Sequence, residues 1–306
     1  MTILIIGLGS AAGKHITAIR EIEPAANIYA LRSSRTGEDV SGVKNIYSLN
    51  ELTEALDFVI ISNPTSIHKQ AIMQCVDLNC PLFIEKPVLD DVSGVEMILE
   101  QINKKQLISY IACNMRFHPA IQYCKSHLLL PDIRINEVNI YCGSYLPDWR
   151  PGKDFRTVYS AKSDMGGGVH LDLIHELDYC AWLFGIPAEV KAVKRNVSSL
   201  GIDAVDSAYF QLLYPAFTAN IGLNYYRRDA KRQIEIVGQE DTWHIDLLAN
   251  TVTSLISKKC LYEAPFSINQ TYVQQMRYFM NHIKEHKQPM NSISEGVNVL
   301  KLALHG

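Results

Sequence analysis

The feature that most constrains the fold is a glycine-rich turn between a short apolar run and a helical pattern. The run Ile3–Ile6 leads into Gly7-Leu8-Gly9-Ser10-Ala11-Ala12, and helical spacing follows from about Lys14. In such a strand–turn–helix unit, Gly7 permits the tight turn, Gly9 lets the backbone approach a phosphate, and the third position tolerates alanine. The helix N-terminus favours an anion. The pattern predicts a dinucleotide-binding loop in which Gly7, Gly9, Ser10, Ala11 and Ala12 contact the cofactor.

The first 115 or so residues alternate short apolar runs with helical patterns. Such alternation is typical of βαβ units, in which a parallel sheet carries helices on both faces. The expected strands are Ile3–Ile6, Ile28–Leu31, Asn45–Tyr47, Phe58–Ser62, Leu82–Ile84 and Leu107–Ala112. The expected helices are Lys14–Glu21, Leu49–Ala55, Ile67–Leu78 and Val92–Asn103.

After Pro119 the pattern changes to long consecutive strands, several with alternating polarity, which favours a largely antiparallel sheet. The fold class is therefore α/β, with an N-terminal Rossmann dinucleotide-binding domain (1–117). A C-terminal α+β domain (118–306) carries a large, mostly antiparallel open sheet for substrate binding and oligomerisation. A cleft between the domains is the expected substrate site. The expected strands are Ile133–Cys142, Val190–Val197, Ser207–Tyr214, Phe217–Tyr225, Lys231–Val237 and Thr242–Leu247, and the helices are Pro119–His127, Val169–Phe184, Tyr272–Glu285 and Glu295–Leu304.

Composition excludes several classes of function. The 306 residues are 47% hydrophobic and 20% charged, with a net charge of −3 and no long basic run, which argues against a nucleic-acid partner. No apolar stretch approaches the ~20 residues that span a bilayer, and no signal peptide is recognisable, so we expect a cytoplasmic protein without membrane contact. The seven cysteines form no C-x-x-C pair and indicate reduced, mostly buried thiols and no metal site.

The choice of cofactor depends on the residues after the second strand. NAD-specific loops carry Asp or Glu about 20 residues beyond the glycines. This chain has Arg32-Ser33-Ser34-Arg35 there, and an arginine pairs well with a 2′-phosphate. We therefore expect NADP rather than NAD, bound by Arg32, Ser33 and Arg35. The alternative is that both arginines are solvated loop charges.

Five motifs in order carry a resemblance that covers nearly the whole chain. They are Gly7-Leu8-Gly9-Ser10 with His15, Asn63-Pro64-Thr65 with His68, Glu85-Lys86-Pro87, Asn114-x-Arg116-Phe117-x-Pro119, and Gly166-Gly167-Gly168-x-x-x-Asp172-x-x-His175. Together they resemble the glucose–fructose oxidoreductase, inositol dehydrogenase and rhizopine-catabolism (Gfo/Idh/MocA) family.

The resemblance implies an NAD(P)-dependent oxidoreductase that reversibly oxidises a secondary alcohol of a sugar, nucleotide sugar or cyclitol. It places Lys86 beside the nicotinamide and the substrate hydroxyl, with Asp172 and His175 completing the catalytic set. Asn63, Pro64, Thr65, His68, Glu85 and Asn114 are expected to line the cofactor together with Lys86. The chemistry agrees, because a lysine ammonium can steady a developing alkoxide and a histidine is the usual base at neutral pH.

Asp172 and His175 stand three residues apart, and on a continuous helix they would share a face. Many family members separate the two by four residues, and the shorter spacing resembles a branch that acts on sugars of bacterial surface polysaccharides. The difference leaves His170 as a rival base or a substrate contact.

Two further features concern the substrate and the assembly. The segment Tyr145–Tyr159 mixes aromatics, arginines and acids, so it is predicted to bind a sugar-type substrate, or alternatively to be a structural loop. An open sheet face favours a homodimer or homotetramer.

Two other functions stay open, namely transient oxidation by a retained cofactor and non-catalytic sensing. The predicted substrate residues are Arg116, Trp149, Arg150, Asp154, Arg156, Tyr159 and His170.

Overall fold

The computed structural model describes residues 1–305, and its first sheet is parallel throughout. Its strand order is β3-β2-β1-β4-β5-β6, so the order reverses between β1 and β4. Parallel sheets of this kind bind ligands outside the carboxyl ends of the strands at that reversal. The predicted Rossmann domain is confirmed. The strands are β1 (Thr2–Ile6), β2 (Asn27–Leu31), β3 (Val43–Ile46), β4 (Phe58–Ile61), β5 (Leu82–Ile84) and β6 (Ser109–Ile111).

Eight α-helices accompany the sheets in the part of the chain that is described. They are α1 (Ser10–Ile22), α2 (His68–Val76), α3 (Val95–Lys104), α4 (Pro119–Tyr123), α5 (Val169–Asp172), α6 (His175–Phe184), α7 (Ile268–Lys284) and α8 (Ile293–Leu304). The expected helix Leu49–Ala55 was wrong, since only a short 3₁₀ turn forms at Leu49–Glu51, where Ser48 caps the N–H of Asn50.

The second sheet has eight strands in the order β14-β13-β12-β11-β7-β10-β9-β8. Every neighbouring pair is antiparallel except β7 and β10. The predicted mostly antiparallel sheet is confirmed, and β13 and β14 are additional to the strands that the pattern predicted. The strands are β7 (Ile135–Tyr145), β8 (Glu189–Arg195), β9 (Ser207–Leu213), β10 (Thr218–Asn224), β11 (Tyr226–Gly238), β12 (Thr242–Asp246), β13 (Thr251–Ser254) and β14 (Cys260–Glu263).

The chain divides into two compact units that are not contiguous in sequence. The first unit is Met1–Asn114 with Ile268–Val297, and the second is Met115–Ser267 with Asn298–Gly306. A single boundary after residue 117 would leave α7 in the second unit. Packing explains the difference, because Phe279 of α7 lies with its ring centroid 5.3 Å from those of Phe58 and Phe83, in the core of the first unit.

Candidate active site

The glycine-rich loop has the geometry that close approach of a phosphate requires. The Gly7 N–H donates to the Leu31 carbonyl at 3.2 Å, which ties the loop to β2. Gly7 has φ +84°, and a Cβ there would lie 2.8 Å from Asn63 Cα, so only glycine fits. A Cβ at Gly9 would meet no atom within 4 Å, which leaves the backbone open to a ligand. Helix α1 then begins at Ser10, with no acid in its first turn to oppose an anion.

The two arginines after β2 have different partners. Arg32 donates to the Glu38 carbonyl at 2.8 Å, and its guanidinium lies 3.8 Å from Asp39 Oδ1. Arg35 lies over the ring of Tyr47, 4.2 Å from the centroid. Asp39 is exposed, so solvent screens its attraction for Arg32. The Arg32 guanidinium therefore places a positive charge at the end of β2. Arg32 directly follows Leu31, whose carbonyl accepts the hydrogen bond from Gly7.

Asn63 follows β4 and faces the loop at Gly7. Its Oδ1 is buried and accepts no hydrogen bond from the described residues. Buried polar atoms in native proteins are normally paired, so an orphaned oxygen here fits a site that a polar ligand completes. Pro64 and the buried Thr65 continue the same turn into α2.

His68 was predicted to line the cofactor, but its ring is engaged with backbone. The side chain is 1% exposed. Its Nε2 lies 3.0 Å from the Asn63 carbonyl and its Nδ1 lies 3.1 Å from the Pro87 carbonyl. Burial lowers the pKa of His68, opposed by these carbonyl contacts. These contacts favour a supporting role, in which the ring joins the turn after β4 to the segment after β5.

Glu85 is linked to the first helix by a buried contact. Its Oε1 lies 2.5 Å from His15 Nε2, and its Oε2 accepts the Lys86 N–H at 3.2 Å. Burial would raise the pKa of Glu85, but the hydrogen bond and charge of His15, together with Lys86, bring that pKa below its ordinary value. Glu85 therefore links helix α1, through His15, to the backbone N–H of Lys86. His15 was part of the motif but was not among the predicted site residues.

Lys86 and Asn114 end two neighbouring strands of the first unit. Lys86 follows β5 and precedes Pro87 through a cis peptide bond. Asn114 follows β6 and is buried, and its Nδ2 donates to Thr271 Oγ1 of α7 at 2.6 Å. The carboxyl ends of parallel strands meet at one edge of a sheet, so Gly7, Asn63 and Lys86 follow the adjacent strands β1, β4 and β5 at the same edge.

In the second unit, Asp172 lies at the centre of a tyrosine cluster. Its side chain is buried, and Tyr225 donates to Oδ2 at 2.5 Å. Tyr159 also hydrogen-bonds Asp172, and burial together with this carboxylate raises the pKa of Tyr159. The same two causes raise the pKa of Tyr225. Both phenols stay protonated at neutral pH and donate to the carboxylate. Tyr225 was not among the predicted site residues, and it stands 53 residues from Asp172 in sequence.

The single helix predicted over Val169–Phe184 was wrong, and this changes the relation between Asp172 and His175. Helix α5 ends at Asp172, Leu173 has φ −97° and ψ 32°, and α6 begins at His175. The two side chains therefore occupy the end of one helix and the start of the next, and the shared-face argument for a continuous helix does not apply. Apolar Leu173 and Ile174 gave no sign of the break.

His175 and His170 are both largely buried. Burial, with a smaller effect of Lys194, lowers the pKa of His170 to about 4. The Nδ1 atom of His170 is buried and has no hydrogen-bond partner among the described residues. His170 is therefore neutral at pH 7 and a weak proton acceptor.

Arg116 was predicted to contact substrate, and its surroundings favour a structural role. The side chain is 3% exposed. Its Nε and one terminal nitrogen donate to the two carboxylate oxygens of Asp178 at 2.9 and 2.8 Å. A second buried pair joins Glu176 to Arg232 at 2.7 Å. Both acids lie in α6, so the two pairs hold the helix that begins at His175.

The segment Tyr145–Tyr159 is held both by contacts within it and by contacts with neighbouring residues. Trp149 donates to Ser144 Oγ at 2.8 Å, and its ring meets Tyr225 edge-on at 5.3 Å. Asp154 caps the N–H of Arg156 at 3.0 Å, and its carboxylate lies 3.6 Å from that guanidinium. Arg150 lies over the Tyr159 ring at 5.5 Å. Trp149 and Tyr159 therefore connect this segment to the cluster around Asp172.

Three general findings accompany this geometry. Within residues 1–305, no helix is long and apolar enough to cross a membrane, and no three His, Cys, Asp or Glu side chains are grouped to hold a metal ion. None of the seven cysteines, all within residues 1–305, forms a disulfide, and of the seven only Cys260 is exposed.

Comparison with protein-family models gives two matches. Residues 1–112 match the model described as "Oxidoreductase family, NAD-binding Rossmann fold", and residues 134–244 match the GFO/IDH/MocA C-terminal domain. Among curated relatives, the scyllo-inositol 2-dehydrogenase (NADP(+)) IolW of Bacillus subtilis is 23% identical over 97% of this chain and 90% of its own length.

Two solved structures show the same fold over 99% of this chain and 95% of theirs. The UDP-N-acetylglucosamine 3-dehydrogenase GnnA of Acidithiobacillus ferrooxidans has a TM-score of 0.82 at 22% identity. A levoglucosan dehydrogenase in complex with NADH and levoglucosan has a TM-score of 0.84 at 15% identity.

Proposed function

The chain belongs to the GFO/IDH/MocA family of NAD(P)-binding oxidoreductases, and from this premise we propose that it oxidises a secondary alcohol of a sugar, nucleotide sugar or cyclitol with NADP. The observation that carries the proposal is the edge of the first sheet. Gly7, Asn63 and Lys86 follow adjacent parallel strands there, with an open backbone at Gly9 and an orphaned Asn63 oxygen. A bound nicotinamide supplies the hydride acceptor.

In this proposal the chain's own residues hold and move the proton. The Lys86 ammonium donates to the substrate hydroxyl and stabilises the negative charge that develops on its oxygen. His175 accepts the hydroxyl proton, because histidine is the usual base at neutral pH and the rival His170, with a pKa of about 4, is a weak proton acceptor. Asp172, held by Tyr159 and Tyr225, orients the substrate or His175.

The preference for NADP rests on Arg32 and its neighbours. Arg32 has a carbonyl partner in Glu38 and only an exposed carboxylate, that of Asp39, near its guanidinium. A 2′-phosphate would give the guanidinium a stronger, charge-assisted partner. The exposed Ser33 and Arg35 stand beside it in sequence and complete the proposed phosphate contacts.

We also propose a homodimer or homotetramer in the cytoplasm. Strand β8 alternates exposed and half-buried residues, and Val193 and Tyr209 are 58% and 52% exposed on β8 and β9. Apolar and aromatic groups gathered on one sheet face are typical of a protein interface. Seven cysteines without a disulfide among residues 1–305 support a reducing compartment.

The test is direct. The purified protein is mixed with NADP or NAD and a range of sugars, cyclitols and nucleotide sugars, and absorbance of reduced nicotinamide is followed. Growth of absorbance with one sugar and NADP supports the proposal. Conversion of a sugar without net change in nicotinamide would instead indicate transient oxidation by a retained cofactor. Cofactor binding without any sugar conversion would overturn the proposal and favour a sensing role.

A further inference from the structure

Arg150 differs from the other cations of its segment. Between Tyr145 and Tyr159 the basic residues are Arg150, Lys153 and Arg156. Arg156 lies beside the Asp154 carboxylate, and Lys153 is exposed, so water hydrates its ammonium. Arg150 is only partly exposed, and within residues 1–305 no carboxylate pairs with it. Its charge is therefore partly desolvated without a counter-ion.

Three other arginines of the second unit are neutralised by carboxylates, whereas Arg228 donates to Tyr145 Oη at 2.9 Å. Arg116 pairs with Asp178, Arg232 with Glu176, and Arg227 with Asp229. Arg150 instead lies over the ring of Tyr159. That phenol hydrogen-bonds Asp172, so the unmatched guanidinium is one side chain away from the proposed catalytic carboxylate.

We propose that Arg150 selects a substrate that carries an oxyanion, either a sugar carboxylate or a sugar phosphate such as that of a nucleotide sugar. This inference rests on the proposed function and names the substrate class of the same site. A guanidinium binds both anions through two parallel hydrogen bonds, and partial burial without a counter-ion is relieved when an anion arrives.

Charge balance supports the same conclusion. Asp172 is buried, and the hydroxyls of Tyr159 and Tyr225 that hydrogen-bond it are neutral donors. An acidic substrate that approached Asp172 would be repelled unless a cation came with it. Arg150 supplies that cation from the segment that Tyr159 ties to Asp172. A neutral sugar would leave the guanidinium unmatched.

The experiment measures binding rather than turnover. Glucose, glucuronate and glucose 1-phosphate are titrated by calorimetry into the NADP-loaded protein and into its Arg150→Met and Arg156→Met variants. We expect at least one anionic sugar to bind roughly tenfold or more tightly than glucose, as a charge-assisted hydrogen bond implies. Arg150→Met should abolish this preference and Arg156→Met should keep it. Preference for glucuronate indicates a carboxylate, and preference for glucose 1-phosphate indicates a phosphate.

The outcomes separate this inference from the proposed reaction. Equal affinity for the three sugars, including no binding of any, or a preference that survives Arg150→Met, would overturn the role of Arg150. Oxidation of neutral sugars with NADP would in that case leave the oxidoreductase proposal intact. The protein could instead show an anion preference that depends on Arg150 and yet reduce no nicotinamide with any sugar. That result would support the anion site at Arg150 and overturn the proposed reaction.

Discussion

Tyr225 donates a 2.5 Å hydrogen bond to the carboxylate of Asp172, and both side chains are buried. The tyrosine lies between β10 and β11, and the aspartate ends α5. The bond therefore fixes a residue at a helix break to the second sheet. It gives the proposed catalytic aspartate a rigid support that no local sequence pattern could provide.

Tyr225→Phe removes this donor and keeps the ring. We expect the free energy of unfolding to fall by about 1–2 kcal/mol, because the buried carboxylate loses a partner. Turnover should fall roughly tenfold, which corresponds to about 1.4 kcal/mol in the barrier, while NADP affinity is unchanged. Urea unfolding, steady-state kinetics and NADP titration check this. The control is Tyr226→Phe, whose hydroxyl contacts Ser207 Oγ instead. Equal effects of the two variants would contradict the assigned role.

Lys86→Ala should lower kcat by about 10²-fold or more, since a donor to the developing alkoxide is lost. The dissociation constant of NADP should stay within about threefold, because the Gly7–Ala12 loop is untouched. Stopped-flow hydride transfer and fluorescence titration measure the two quantities. Lys69→Ala, which removes a surface ammonium bonded to the Ser93 carbonyl, is the matched control. Unchanged turnover in Lys86→Ala would sink the mechanism.

The two histidines after the glycines are separable by pH. Because the pKa of His170 is about 4, that ring is neutral across the working range and accepts a proton poorly. His175→Asn should lower kcat by about 10²–10⁴-fold. His170→Asn should leave kcat, and the acid limb of the pH profile, near the wild-type values. Profiles of kcat/KM between pH 5 and 9 make the comparison. The reverse result would assign the base to His170.

Arg32→Met should raise the KM for NADP roughly 10- to 100-fold and leave that for NAD nearly constant, as loss of charge-assisted hydrogen bonds to a phosphate implies. Arg35→Met should have a smaller effect, because Arg35 lies over Tyr47. Initial rates of the wild type and both variants with each cofactor give the six KM values. A KM that rises equally for NADP and NAD would show that Arg32 only shapes the loop.

His118 makes stability depend on pH. Burial lowers its pKa from 6.5 to about 4, although the Nε2 contact with the Leu247 carbonyl opposes this. Between these values the unfolded chain binds more protons, so the free energy of unfolding falls as the pH drops from 6.5 towards 4. His118→Gln should reduce the stability lost between pH 7 and 5 in urea unfolding. The exposed His127→Gln should not, and an identical loss in all three proteins would refute the assignment.

The sequence predicted both sheets because their strands are read from local patterns. Continuous apolar runs such as Phe58–Ile61 become strands covered on both faces, and Leu82–Ile84 was predicted with its observed bounds. The glycine loop was equally local, since Gly7 needs its φ of +84° wherever such a turn occurs. What a turn or strand requires of its own residues can be recognised without a structure.

The details around the site depend on contacts that are distant in sequence. Arg116 meets Asp178 across 62 residues, and this buried pair supports α6, while the contact of Arg116 with substrate stays a prediction. The helix is interrupted at Leu173–Ile174. Both residues are apolar and fit a helical pattern, so no residue type indicates the interruption. The proposed ligand contacts of Lys86, Arg150 and His175 stay predictions, because residue type limits their chemistry but does not select their ligands.

The return of α7 to the first unit has a consequence for synthesis. Phe279 completes an aromatic core with Phe58 and Phe83, yet residues 115–267 are made before it. At ribosomal rates this interval is on the order of ten seconds. During that time the nascent nucleotide-binding unit holds an unfinished hydrophobic surface, so a nascent-chain chaperone would be expected to engage it. For the same reason, residues 1–117 expressed alone should aggregate, and a working fragment would have to be a fusion that reconnects residue 114 to residue 268.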